Sequence, residues 1–134
     1  MFRTVLLIAV MVGSIVIAQA INLKEQQARW LEQYMEVPKP LPPVRYVSET
    51  FMQVISGNPT AYGAYWRETI YINKNNWNER RNIILHELVH HAGGGECMAY
   101  TLQVKWIREK GLKGWMKWER ARRSWCNEGQ SLSR

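Results

Sequence analysis

Three consecutive glycines, Gly93-Gly94-Gly95, separate two stretches that would otherwise read as one continuous helix. Gly adopts the left-handed conformation of a chain reversal at no steric cost, so the run stops one helix and lets the chain double back at once. The stretch before it, Ile83-Ile84-Leu85-His86-Glu87-Leu88-Val89-His90-His91, is apolar enough to be buried. The stretch after it opens at Glu96 and runs in helical register to about Lys110, where Gly111 ends it. The fold must therefore contain two helices that meet at a tight elbow. All three histidines of the chain lie within the six residues that close the first helix.

A chain of 134 residues leaves room for one core around that elbow. Hydrophobic residues at 46% and charged residues at 22% exclude a wholly disordered chain. Asn22 with Glu25 forms a capping-box pattern for a helix to about Met35, with Leu23, Gln27, Trp30, Leu31 and Tyr34 on one face. Pro38, Pro40, Pro42 and Pro43 then make an extended connector. Val44–Val47 reads as a strand, and Ser48 caps a short helix that Gly57-Asn58-Pro59 closes. Ala61–Trp66 and Thr69–Asn73 alternate and are rich in Tyr, Trp and Ile, the pattern of an antiparallel hairpin. Asn76 and Glu79 are spaced to cap the helix from about Trp77 to His91. The expectation is an α+β domain: a small antiparallel sheet packed on the histidine-bearing helix, followed by C-terminal helices.

Residues 1–20 read as an export signal, with Arg3 in the n-region, an apolar run from Val5 to Ala18, and Ala18-Gln19-Ala20 as an A-x-A cleavage site. The run is short for a membrane span; an uncleaved N-terminal membrane anchor is the alternative. The plan is thus a signal peptide over 1–20, an N-terminal helix and Pro-rich connector over 21–43, and the main domain over 44–134. The mature protein is expected to be secreted or periplasmic. In that oxidising setting the two cysteines, Cys97 and Cys126, are expected to form a disulfide.

The chemistry sits in His86-Glu87-Leu88-Val89-His90. One helical turn separates His86 from His90, so both imidazoles can reach a single metal ion, and Glu87 lies beside that face. Imidazole and carboxylate suit Zn²⁺, and a catalytic zinc site needs three protein ligands and an open position. Glu96, six residues after His90 and just past the glycines, is the candidate third ligand, with Glu119 or Glu128 as fallback. His91 points about 100° away from His90 and is expected to pack rather than ligate. Tyr100, one turn after Glu96, is either a catalytic group, orienting Glu96 or hydrogen-bonding a reacting carbonyl, or a core tyrosine.

On these residues the chain resembles the zincin metallopeptidases, with His86, Glu87 and His90 matching their core motif. Gly93 fits the spacing of the metzincin pattern, where Glu96 stands in place of a third His and no Met-turn is visible. A second likeness covers more of the chain, roughly Pro43 to Lys110. It is to small exported bacterial gluzincin-like domains of uncharacterised function, which carry a Tyr-rich hairpin, a His-Glu-Leu-Val-His-His helix and Glu-x-x-Ala-Tyr-x-x-Gln, here Glu96 to Gln103. These resemblances imply a minimal zincin-like fold, peptide or protein substrates, a helical Glu ligand, and an edge strand (here Ala61–Trp66) that binds extended peptide. The tyrosines of the hairpin, Tyr62, Tyr65 and Tyr71, read as strand formers.

The net charge of +7 concentrates in residues 105–123, which hold eight Lys and Arg against Glu109 and Glu119, with Trp106, Trp115 and Trp118 interleaved. Trp at helical spacing reads as core, with the basic face solvated. Weak association with an anionic membrane or envelope surface is the functional alternative, nucleic acid is not expected as a partner, and the protein is expected to be a monomer. The leading expectation is zinc-dependent peptide-bond hydrolysis with Glu87 activating the water. Its rival is a non-catalytic envelope-binding module with a structural metal and a basic aromatic tail.

Overall fold

The computed structural model describes residues 23–127. They form a mixed α+β domain: helix α1 over residues 23–31, strand β1 (Val44–Val47), helix α2 (Glu49–Ser56), strands β2 (Gly63–Trp66) and β3 (Thr69–Asn73), a 3₁₀ segment (Lys74–Glu79), and helices α3 (Arg80–His91), α4 (Glu96–Glu109) and α5 (Trp115–Asn127). The expected signal segment and Glu128 lie outside the described residues, as does Asn22 of the first capping pattern. No helix among the described residues is long and apolar enough to cross a membrane.

The sheet is mixed rather than purely antiparallel. Its strand order is β1-β3-β2, with β2 antiparallel to β3 and β1 parallel to it, Val44 opposite Ile70 and Val47 opposite Asn73. The hairpin was legible because β2 and β3 are joined by two residues, Arg67 and Glu68, both at positive φ, the geometry of a tight hairpin turn. Parallel pairing needs a longer crossover, which here passes through α2. β3 is the central strand: Ile70 and Ile72 face α3 and α4, while Tyr71 turns the other way, onto Val47 and Met52 under α2. Strict alternation thus serves two cores, one on each face of the sheet.

The larger core centres on α3, whose Ile83, Ile84, Leu85, Leu88 and Val89 are all buried. α4 packs on it through Ala99, Leu102 and Ile107, and α1 adds Ala28 and Leu31. Each fully buried Leu or Ile contributes roughly 1.5–3 kcal/mol, so this cluster is what holds the elbow rigid. α1 is fixed at both ends of the elbow: Gln27 donates to the Arg81 carbonyl at 2.7 Å and Trp30 Nε1 to Glu109 at 2.8 Å.

The start of α3 differs from the sequence expectation. Asn73 rather than Asn76 caps the 3₁₀ segment, accepting from the Asn75 N–H at 3.0 Å, and Asn76 sits outside helical geometry at φ −111°, ψ 25°. Glu79, read as half of a capping box, makes no cap bond and pairs instead with Lys117 of α5. α5 is further tied down by the Cys97–Cys126 disulfide, Cα atoms 5.0 Å apart, and by Trp118, its one buried residue among those described.

Candidate metal centre

α3 delivers His86, Glu87 and His90 to one place; their ligand atoms all lie within 4.8 Å of one another, so the group can hold a metal ion. His86 and Glu87 are buried and His90 is partly so. The two imidazoles meet edge to face, with Nε2 atoms 3.2 Å apart. The glycine elbow then brings Glu96, first residue of α4, against both: Oε1 lies 3.3 Å from His86 Nε2 and in direct contact with His90 Nε2. Four ligands at zinc-like distances of about 2.0 Å around a tetrahedron stand about 3.3 Å apart. The 3.2 and 3.3 Å separations are of that size.

Their partners fix which way the rings present their lone pairs. The Gly94 carbonyl can only accept, so His90 carries its hydrogen on Nδ1 and donates to it at 2.8 Å. His86 Nδ1 likewise donates to Gln103 Oε1 at 2.8 Å. Both Nε2 lone pairs and a carboxylate oxygen therefore aim at one point, an arrangement that calls for a cation or a proton. A proton can take that place. Burial works against the His90 charge, but the Glu96 hydrogen bond and the nearby carboxylates override it and raise His90 to about 9. Burial likewise opposes the Glu96 charge, and its bonds to the two imidazoles hold it far below the usual carboxylate range.

Glu87 occupies a different position. It is 5% exposed, its Oε2 has no hydrogen-bond partner, and burial pushes its pKa up against the pull of His86 and His90. Its neighbour across the cleft is β2, and Gly63 makes that approach possible: a Cβ there would stand 2.4 Å from Ile83 Cγ2 and 3.7 Å from Glu87 Cγ. Tyr100 packs its ring edge-on to His86, centroids 4.5 Å apart. Burial, followed by the Glu96 and Glu87 charges, raises the Tyr100 hydroxyl to about 12, so it remains a hydrogen-bond donor at neutral pH. Glu87, Gly63 and Tyr100 line a cleft of about 410 Å³ together with Tyr62 and Trp118. Trp118 stacks on Tyr100 and meets Tyr62 edge to face, so the basic C-terminal helix supplies part of the cleft.

The other candidates lie elsewhere. His91 accepts from Tyr65 Oη at 2.9 Å through Nδ1 and donates to the Pro38 carbonyl at 2.9 Å, tying the connector and β2 to the end of α3. Glu119 is held by Arg122 at 2.6 and 2.7 Å, within α5. Sequence reasoning gave Gly63 no part, read Trp118 only as core, and quoted Gln103 only as the end of a resemblance motif without a role in the site. A signal for Gln103 existed: it falls seven residues after Glu96 and three after Tyr100, a polar side chain on a helix face otherwise bound for the core. Gly63 had none, because its role depends on a contact with Ile83 twenty residues away. Comparison of the chain with protein families, with curated proteins and with solved structures returns no match.

Proposed function

We propose that the protein is a zinc-dependent hydrolase of peptide bonds, a small exported zincin-like enzyme. The observation that carries this reading is the convergence of His86 Nε2, His90 Nε2 and Glu96 Oε1 on one point, with Glu87 buried beside them and its Oε2 without a hydrogen-bond partner. Two imidazoles and a carboxylate are a donor set that suits Zn²⁺ and leaves one position open, so the residues fit the ion. When bound, it supplies Lewis acidity that makes a water molecule acidic near pH 7 and polarises a carbonyl.

The protein groups supply the rest. Glu87 takes the proton of the attacking water and passes it to the leaving nitrogen, a task its raised pKa suits. Tyr100, protonated throughout, donates to the carbonyl oxygen as charge develops there. β2 is the edge strand beside α3, so an extended peptide adding to it would run along the cleft. The disulfide supports an oxidising compartment and hence export.

Metal analysis of the purified protein beside Glu87→Gln and Glu96→Gln, with cleavage of a peptide library measured on all three, tests this. The parent should carry one zinc and cleave. Glu87→Gln should keep the zinc and lose at least a hundredfold in rate, whereas Glu96→Gln should lose the zinc. Full activity in Glu87→Gln refutes the mechanism, and a parent that holds zinc without cleaving any amide favours the structural-metal reading.

A further inference from the structure

A second and larger concavity, about 1070 Å³, lies away from the metal cleft, between α1, β1, the start of α3 and the end of α4. Lys24, Arg80, Arg81 and Lys110 line it, and no carboxylate is among the described residues that do. None of these four cations makes an ion pair with a described residue, whereas on α5 Lys117 pairs with Glu79 and Arg122 and Arg123 pair with Glu119. Four cations without an ion-pair partner among the described residues thus share one groove, whereas three on α5 are already answered.

The cations are also held in place. The Arg80 guanidinium lies 4.1 Å above the Trp77 ring and donates to the Trp77 carbonyl at 3.1 Å. Lys110 Nζ lies 4.8 Å above Trp106, and Lys24 donates to the Pro42 carbonyl at 2.7 Å. Side chains positioned in advance lose less freedom when a ligand arrives. Trp106, 6% exposed, lines the same groove, and its buried Nε1–H has no partner. With Arg80 and Lys110 covering the faces of Trp77 and Trp106, those faces are not open to stacked bases, the usual device for single-stranded nucleic acid. A concave site also does not fit a flat bilayer. What fits is a chain of anions on a saturated backbone. The guanidinium forks of Arg80 and Arg81 suit the paired oxygens of a carboxylate or of a bridging phosphate.

We propose that this groove binds a polyanionic saturated chain, a polyol or sugar polymer bearing phosphate or carboxylate groups, through Lys24, Arg80, Arg81 and Lys110. The proposal is independent of the metal reading. The test is titration of the full protein with a short linear polyphosphate, followed by tryptophan fluorescence across a salt series. Orthophosphate, a polyuronate, single-stranded DNA and phosphatidylglycerol vesicles serve as the other arms. The triple change Arg80→Gln, Arg81→Gln, Lys110→Gln should weaken polyphosphate binding at least tenfold and reduce the log–log salt slope by roughly two units. Lys110→Glu alone, at an exposed residue, should weaken it several-fold and covers the case in which the triple variant fails to fold. The tail variant Lys113→Gln, Arg120→Gln, Arg123→Gln, with Lys113 just before α5 and the other two on it, should stay within twofold of the parent. An equal loss in the tail variant, DNA or vesicles bound as tightly as polyphosphate, or no saturable binding of either polyphosphate or polyuronate overturns the proposal.

Discussion

Replacing Gly63 by Ala places a methyl carbon 2.4 Å from Ile83 Cγ2 and 3.0 Å from the Tyr71 carbonyl oxygen. Ordinary carbon–carbon contact is about 3.5–4.0 Å, so β2 or α3 must move by about 1 Å. Neither partner yields easily, because Ile83 is 3% exposed and Tyr71 belongs to the central strand. Overpacking of this kind costs about 1–3 kcal/mol, which for a domain of this size lowers Tm by roughly 5–20 °C. Ile83→Ala removes the clashing methyl and by itself costs about 2–5 kcal/mol through the cavity it leaves. If the two side chains collide as described, the double variant recovers most of the Gly63→Ala cost, since the new methyl then occupies part of that cavity. A urea-denaturation cycle over parent, both single variants and the double variant should therefore show a favourable coupling of about 1 kcal/mol or more. Additivity to within about 0.3–0.5 kcal/mol would refute the close approach of β2 to α3. The cycle reads function as well. Because the same strand faces Glu87, Gly63→Ala should lower peptide cleavage more than it lowers zinc content.

Gln103→Ala removes the acceptor for His86 Nδ1 and should weaken zinc binding 10–100-fold by competition with a chelator; Gln103→Glu, which keeps an acceptor, should recover most of it. Cys97→Ser with Cys126→Ser should destabilise the protein by about 2–4 kcal/mol in chemical denaturation. The protein purified without reductant should show no free thiol by mass spectrometry.

The histidine helix, the glycine elbow and the return helix from Glu96 were legible because each depends on residues close in sequence. Gly93 takes φ +93°, and α4 runs from Glu96 to Glu109 with Lys110 as its cap. Thr69–Asn73 was legible as a strand, but not as the central one. Its partner β1 lies about 25 residues earlier, and nothing local to Val44–Val47 distinguishes parallel from antiparallel pairing. Asn73 and Asn76 are equally good capping residues in isolation. The choice fell to Asn73, whose amide nitrogen also donates to the Pro59 and Ala61 carbonyls at 3.0 and 3.1 Å, a tertiary bond that sequence spacing does not reveal. Within the site, the elements of the cleft carried by α3 and α4 could be read, whereas the walls that β2 and α5 provide required the fold.

The helix–glycine–helix elbow has a further consequence for how the chain acquires a cation. His86, His90 and Glu96 span eleven residues, so bringing them together closes only a short loop, whose entropic cost is small and grows slowly with length. Neither the sheet nor α5 need be assembled first. If the site takes up an ion, the unfolded chain would keep some grip on it, and a ligand that binds both states shifts the melting temperature less than its affinity for the native state alone would dictate. Calorimetric affinity and thermal shift measured on the same protein should disagree in that direction. The shortfall is a measure of how early in folding the elbow closes.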